Sequence, residues 1–413
     1  MKNRVVVTGM GAITPIGNNV KTFWENVKIG KCGIDFIKAF DTSEFKVKIA
    51  AEVKNFNPKD ILDFKTIKRT DRFTQMGMAA AIEAASNAGL DDNEDNSKEN
   101  WGIVLGTGIG GFQSIENENR KIIERGPSRV SPFFIPMAIC NIAAANIAIK
   151  FGIKGICDTI ITACASGTSS IGSAYRILQQ GHADLMMAGG SEAAITPLAL
   201  AGFTSMGALC SNNDPKKASI PFDARRTGFV MGEGAGILVL ETLEHAKKRD
   251  TKIYAEIIGY GATCDAYHIT APAPGGQGGA RAMQMAIDDS GIKKEQVSYI
   301  NAHGTSTPHN DKCETEAIKT VFGQKAYDIP ISSTKSMTGH MLGASGTAEA
   351  IVCIKAIREG FIPPTIGLTE QDPECDLDYV PLQGRNQNLE YALSNSFGFG
   401  GQNASLLIKK WEA

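Results

Sequence analysis

Apolar and polar positions along this chain alternate between two periods. Short apolar or β-branched runs, at Val5 to Thr8, Gly102 to Leu105, Leu185 to Ala188, Gly236 to Leu240, Tyr254 to Ile258, Val297 to Asn301 and Ser405 to Ile408, predict strands. Helical spacing separates them and many runs end in glycine, which is the grammar of a layered α/β protein. Glu241 to Arg249 predicts a helix leaving the Gly236 strand, and Lys252 opens another strand. A boundary between two halves is therefore expected near Asp250, giving residues 1–250 and 251–413. The acidic stretch Asp91 to Asn100 predicts a solvated loop, and Ala271 to Gly279, rich in proline and glycine, a loop ahead of a helix carrying Met283 and Ile287. Such a loop is placed to border a substrate entrance.

Two stretches read as worn copies of one strand-to-helix unit. Cys164-Ala165-Ser166-Gly167-Thr168 through Gly181 aligns without gaps on Gly343-Ala344-Ser345-Gly346-Thr347 through Gly360. The stripe Ile171, Ala174, Tyr175, Leu178 recurs as Ala350, Cys353, Ile354, Ile357, with the i, i+3, i+4, i+7 spacing of a helix. Two similar halves packed together would set the cysteine of one against histidines of the other.

Bulk composition narrows the class without choosing a function. A chain of 413 residues with net charge −2, 21% charged and 43% hydrophobic residues fits a core in two halves and carries no basic excess for nucleic acid. No run reaches membrane-spanning length, and the start lacks the apolar core of a signal peptide. Nine scattered cysteines without a C-x-x-C fit reduced thiols and a cytoplasmic address better than a disulfide framework or a zinc module.

Thr162-Ala163-Cys164-Ala165-Ser166-Gly167 places a thiol where a β run turns into a helix. Free N–H groups and the helix dipole there favour a thiolate, and the small neighbours leave room for substrate. Asn301-Ala302-His303-Gly304-Thr305-Ser306-Thr307 follows a strand, and Ser332 to His340 brings a second histidine just ahead of the second half-repeat. Three chemistries compete for a Cys/His/His set. Zinc binding lacks ligand spacing. A hydrolytic Cys–His dyad leaves one histidine idle. Carbon–carbon bond formation uses all three, the cysteine as thioester carrier and two imidazole N–H groups gripping the oxygen of a second thioester. Gly106-Thr107-Gly108-Ile109-Gly110-Gly111 lacks a Walker lysine and reads as close backbone packing beside a pocket. In Ser396-Phe397-Gly398-Phe399-Gly400-Gly401, glycines on both sides of Phe399 free an aromatic side chain to swing.

With Lys335-Ser336-Met337-Thr338-Gly339-His340 and Asn395 to Gly401, these motifs resemble the β-ketoacyl-[acyl-carrier-protein] synthases, and the likeness runs from about Arg4 to Lys409. Cys/His/His is similar to the elongating branch, and Asp265 to Thr270 and Ser131 to Pro136 to its type II members. The resemblance implies the thiolase fold, five layers αβαβα in two pseudo-repeated halves, assembled as a homodimer. It implies transfer of an acyl group from acyl carrier protein to Cys164, then decarboxylation of a malonyl thioester and condensation, in fatty acid elongation. A polyketide ketosynthase, a non-decarboxylating thiolase or acyltransferase, and a non-catalytic chain-length partner subunit are the rival readings. Carried over by motif, the N–H groups of Cys164 and Phe399 form the oxyanion hole, and His303 and His340 stabilise the enolate. Lys335 sets the local charge. Among substrate-binding positions, Glu349 anchors the network, Thr270, Thr305 and Thr307 bind the phosphopantetheine arm, and Ile109 joins Phe399 in shaping the acyl tunnel. Lys65, Lys68, Arg69 and Arg129 are expected to dock the acidic carrier. Gly207 stands before the Ala208-Leu209 pair, where members of the resembled family often carry arginine or lysine. No metal, no redox or organic cofactor, no nucleic acid and no membrane enters this scheme.

Overall fold

The structure is a computed structural model that describes residues 2–90 and 98–412. Its first half runs β1 (Val5–Ile13), α1 (Arg72–Asn87), β2 (Trp101–Gly106), α2 (Ile142–Phe151), β3 (Cys157–Ile160), α3 (Ser166–Gln179), β4 (Leu185–Glu192) and β5 (Gly234–Thr242). The second repeats that order: β6 (Ala255–Cys264), α4 (Gln277–Ser290), β7 (Tyr299–Asn301), α5 (Pro308–Phe322), β8 (Ile331–Ser332), α6 (Ser345–Glu359), β9 (Tyr391–Gly398) and β10 (Gln402–Lys410). The strands hydrogen-bond in the order β8-β7-β9-β10-β6-β1-β5-β4-β2-β3. Within each half the sequence of third, second, fourth, fifth and first strand is the same. So is the pairing: parallel at the outer two contacts and antiparallel at the inner two. A short antiparallel contact of Val5–Val7 with Ala255–Ile257 joins the halves.

Strand alternation creates the layers. Ile103, Leu105, Leu185, Met187, Ile237 and Val239 face an outer core with Phe73 and Met76 of α1 and Ile147 of α2. Their neighbours Val104, Met186, Ala188, Leu238 and Leu240 face the opposite way, into a central core built with Ile171 and Leu178 of α3 and Ile351 and Ile354 of α6. From the second half, Leu406 and Ile408 enter that central core, while Leu407 and Leu393 turn to Met283 of α4 and Ile318 of α5. The inner strands β2, β4 and β5 are buried on both faces, which explains their apolar runs, whereas the edge strand β3 is exposed. The product is αβαβα, with α3 and α6 as the middle layer.

The two half-repeat stretches share one backbone. A 3-10 turn precedes each central helix, at Ala163–Ala165 and Leu342–Ala344, and each opens on a left-handed non-glycine residue, Ala163 (φ 49°) and Leu342 (φ 47°). The helix starts then cross at a pair of glycines. A Cβ on Gly167 would lie 2.8 Å from the Gly343 carbonyl oxygen, and one on Gly346 would lie 2.0 Å from Thr168 Oγ1. Thr168 Oγ1 also hydrogen-bonds Ser396 Oγ (2.7 Å), so the crossing is tied to β9.

Several expectations need correction. Strands β3, β8 and β9 lie outside the predicted set. In β9 the residues Ser394, Asn395 and Ser396 look polar yet are buried, with Asn395 and Ser396 hydrogen-bonded internally, which hid the strand. Glu241 and Thr242 finish β5, and the helix runs Leu243–Lys248 with Thr242 as its N-cap. Of the predicted solvated loop, residues 91–97 lie outside the described residues. Lys98–Asn100 form a 3-10 turn in which Lys98 is buried, its Nζ donating to the Phe151 carbonyl (3.0 Å). Gln277 to Gly279 belong to α4 and not to the preceding loop.

Candidate active site

Where the two elbows meet, a cavity of about 400 Å³ collects residues from both halves. Cys164, His303, His340, Phe399, Ile109, Thr270, Thr305 and Thr307 all line it. The side chains are delivered by strand ends and elbows, the places where a layered sheet exposes function.

Cys164 sits in the turn between β3 and α3. Ser166 Oγ accepts the Thr162 N–H (2.9 Å) and donates to the Ala163 carbonyl (2.7 Å), closing a tight elbow that presents residue 164. The backbone N–H groups of Phe399 and of Cys164 itself favour the thiolate form of the sulfur. Gly398 lets β9 approach the elbow closely: a Cβ there would lie 2.5 Å from the Thr162 carbonyl oxygen. Gly400 and Gly401 follow in left-handed conformations (φ 80° and 72°), which only glycine takes without strain. The backbone N–H groups favour the thiolate in the expected direction, but burial opposes them. Burial pushes the thiol up to about 12, outweighing the nearby Lys335 ammonium and both N–H groups. The resting group is a neutral thiol.

His303 follows β7, and its N–H donates to Glu314 Oε1 (2.8 Å). The His340 backbone is clamped on both sides, its N–H donating to Val230 O (2.7 Å) and its carbonyl accepting from Gly232 N (2.8 Å). The two rings stand edge to face with centroids 5.3 Å apart. His340 Nδ1 hydrogen-bonds Ser345 Oγ (3.1 Å), so a donating serine leaves Nε2 as the N–H donor. Burial and then the Lys335 ammonium hold both imidazoles well below the usual 6.5. Both are neutral.

Lys335 and Glu349 lie behind the cavity, 1% and 3% exposed, as an ion pair through Nζ and Oε1. Counting Glu349 among substrate-binding residues is therefore corrected: the carboxylate is occupied by Lys335 and does not line the cavity. Two buried carboxylates escaped the sequence reading. Glu314 accepts the N–H groups of His303 and Gly304 (2.8 Å each), and burial raises it to about 7. Glu192 lies at the end of β4, bonded to the Thr107–Ile109 loop, and burial raises it to about 6. A charge ending the apolar run before Gly189-Gly190-Ser191-Glu192 was the available signal. Glu314, one polar residue of a helix, offered none.

Thr305 and Thr307 hydroxyls bond each other (2.9 Å) in the cavity wall, and Thr270, on the β6–α4 connection, lines the same cavity. Gly207 also lines it, with φ 71°. Lys65, Lys68, Arg69 and Arg129 lie away from the cavity on exposed surface. Lys68 stacks on Phe64 and Arg69 on Phe133 (4.3 and 4.6 Å to the ring centroids). Among the described residues none of the four has a carboxylate partner. Nor does any helix there have the length and apolarity to cross a membrane.

Comparisons with known proteins agree with this geometry. Residues 2–246 match the family model "Beta-ketoacyl synthase, N-terminal domain", and residues 254–369 match "Beta-ketoacyl synthase, C-terminal domain". The chain is 53% identical over 410 residues to a 3-oxoacyl-[acyl-carrier-protein] synthase 2 of Staphylococcus aureus, covering 99% of each. It is 54% identical over 412 residues to the enzyme of that name from Synechocystis sp., covering 100% of this chain and 99% of the other. Among solved structures, a β-ketoacyl synthase from Burkholderia phymatum superposes with TM-score 0.92 at 35% identity. A type II PKS acyl-carrier protein in complex with its ketosynthase gives 0.93, also at 35%. Both cover 100% of each chain.

A histidine held neutral in the fold makes stability depend on pH in a defined direction. Below the ordinary value the unfolded chain binds a proton that the native site refuses, so His340 contributes stability that is present above about pH 6.5 and lost as pH falls. The difference in unfolding free energy between wild type and His340→Asn should therefore shrink by about 1.4 kcal/mol per pH unit below about 6.5. Urea denaturation at a series of pH values checks this. A gap independent of pH would show that the ring is not kept neutral.

Proposed function

The chain belongs to the β-ketoacyl synthase family, and we propose that Cys164, His303 and His340 carry its reaction, the decarboxylative condensation of an acyl group with malonyl-[acyl-carrier-protein] in fatty acid elongation. The observation that carries the assignment is the convergence of one thiol and two neutral imidazoles on one cavity. In the first half-reaction the Cys164 sulfur attacks the carrier-bound thioester. Its proton passes to the leaving carrier thiol, and the N–H groups of Cys164 and Phe399 hold the oxyanion. In the second, the C–C bond to the malonyl carboxylate breaks. Carbon dioxide leaves, and the electron pair remains as an enolate whose oxygen accepts from His303 and His340. The enolate carbon attacks the acyl-cysteine, the C–S bond breaks, and the thiolate takes up a proton. The product is a 3-oxoacyl-[acyl-carrier-protein] two carbons longer. Neutral imidazoles suit this step because each retains an N–H while adding no second cation beside Lys335. Thioesters and side chains supply the whole chemistry, so no redox or organic cofactor is assigned. Thr270, Thr305 and Thr307 are assigned to the phosphopantetheine arm, and Ile109 and Phe399 to the acyl chain. Identity of 53–54% to synthase 2 enzymes, against 35% for the polyketide complex, favours fatty acid over polyketide elongation.

We assign acyl carrier protein as the partner and Lys65, Lys68, Arg69 and Arg129 as its docking surface, on the strength of four exposed cations without carboxylate partners among the described residues. A homodimer is assigned on the open edge of the sheet. Strand β3 pairs on one side only, Ile161 just beyond it is 55% exposed, and Ile149 on the adjoining α2 is 80% exposed. A cytoplasmic address suits nine free thiols.

Cys164→Ser should abolish acyl transfer, while Cys164→Gln keeps partial release of carbon dioxide from malonyl carrier. Equal loss of both activities in the folded glutamine variant would break the division of labour. Losing either histidine donor should cost about 10²–10³ in condensation rate. Lys65→Glu with Arg69→Glu should raise KM for carrier-bound substrates and leave kcat near wild type; an unchanged KM would remove this surface. Sedimentation should give twice the mass of one chain, falling to one chain mass in Ile149→Lys with Ile161→Lys. A wild-type monomer would sink the dimer.

A further inference from the structure

Among the described residues, Glu192 is a buried ionisable group that the reaction leaves unused and that binds the cavity walls of both halves. Its Oε2 accepts the N–H groups of Gly108 (2.6 Å) and Gly343 (3.0 Å). Its Oε1 accepts the Ile109 N–H (3.1 Å) and the Thr107 hydroxyl (3.2 Å). Four donors thus converge on one carboxylate that is itself absent from the cavity lining. The fit is close enough to dictate sequence around it: a Cβ on either Gly108 or Gly343 would lie 2.8 Å from Oε2. Thr107 Oγ1 in turn accepts the Gly110 N–H (3.1 Å), so the loop is held on both sides of Ile109.

What this grip controls is the wall beside the nucleophile. Ile109 and Leu342 line the cavity from opposite halves and pack in one apolar cluster with Cys164 and Phe229. Leu342 is held in a left-handed backbone next to Gly343, which Glu192 binds. We infer that Glu192 is a positioning residue for acyl-chain selection: by tying the Ile109 loop to the Leu342–Gly343 elbow it fixes the wall against which the acyl group on Cys164 must fit. This rests on the condensing reading above. A glutamine at 192 would replace one acceptor oxygen by an NH2 group facing two donors, so the loop would be released while the side-chain volume stays. A wall free to retreat admits long chains at little cost to short ones.

The test offers hexanoyl- and palmitoyl-carrier separately to the full-length protein and follows acyl-Cys164 by mass spectrometry. In Glu192→Gln the palmitoyl-to-hexanoyl rate ratio should rise about tenfold. Thr107→Val, which removes one donor to Glu192, should raise it in the same direction, and Thr107→Ser should return it to the wild-type ratio. A purely structural role slows both acyl groups by a common factor; that result, or an unchanged ratio, overturns the inference. If Glu192→Gln does not fold, the threonine pair decides by the same criterion. Acylated wild type with unaltered ratios in the variants refutes the positioning role alone, whereas no adduct on wild type removes the condensing reading and this inference with it.

Discussion

The site depends on how closely two helix starts can approach. At the crossing of α3 and α6, Gly167 lies under the Gly343 carbonyl and Gly346 under Thr168, distances at which any side chain would collide. Because each helix is preceded by an elbow of the same conformation, this contact fixes the position of Cys164 relative to Gly343, and hence relative to His340 three residues before it. Interiors are close-packed and transmit displacement, so a helix separation larger by one methyl group would reach the reacting atoms. The apolar stripes of the two helices, packed in one central core, hold the crossing shut.

Electrostatics then assigns protonation states. Lys335 is an ammonium 1% exposed, which folding tolerates only beside the Glu349 carboxylate. Its remaining field opposes protonation of both imidazoles and favours a thiolate, but burial dominates at the cysteine and leaves a thiol. Sulfur is therefore protected until a carbonyl occupies the N–H groups beside it, and the transfer of its proton belongs to the encounter with substrate. Neutral residues at the reacting centre with one ion pair behind them form a preorganised environment whose dipoles do not need to turn during reaction.

The sequence made much of this legible, for identifiable reasons. The elbows were visible because the Ala-Ser-Gly-Thr run recurs, and its glycines recur because both are required at one crossing. His303 and His340 were visible because glycine and hydroxyl residues surround them. Strands burying both faces announced themselves as apolar runs, whereas β9 did not, since Asn395 and Ser396 satisfy their polar groups through Glu314, Ser405 and Thr168, residues distant in sequence. Glu192 and Glu314 were illegible for a related reason. A carboxylate whose partners are backbone N–H groups leaves no complementary charge to notice. The opposing effect of burial on the Cys164 thiol was not legible, because local helix geometry is written in sequence and depth of burial is not.

One carboxylate also accounts for the asymmetry of a symmetric scaffold. Each half offers an elbow ahead of its central helix and a loop after its second strand. The first half uses Cys164 at its elbow and Gly108 two residues beyond β2; the second uses Gly343 at its elbow and His303 two residues beyond β7. Gly108 and Gly343 are the two positions that Glu192 crowds, each needing to lack a side chain for the carboxylate to bind its N–H. The space that a second nucleophile or a third imidazole would occupy is thus filled by Glu192. A duplicated fold would otherwise present two half-equipped sites facing each other. With one of them filled by a bound carboxylate, thiol and imidazoles from opposite halves share one cavity.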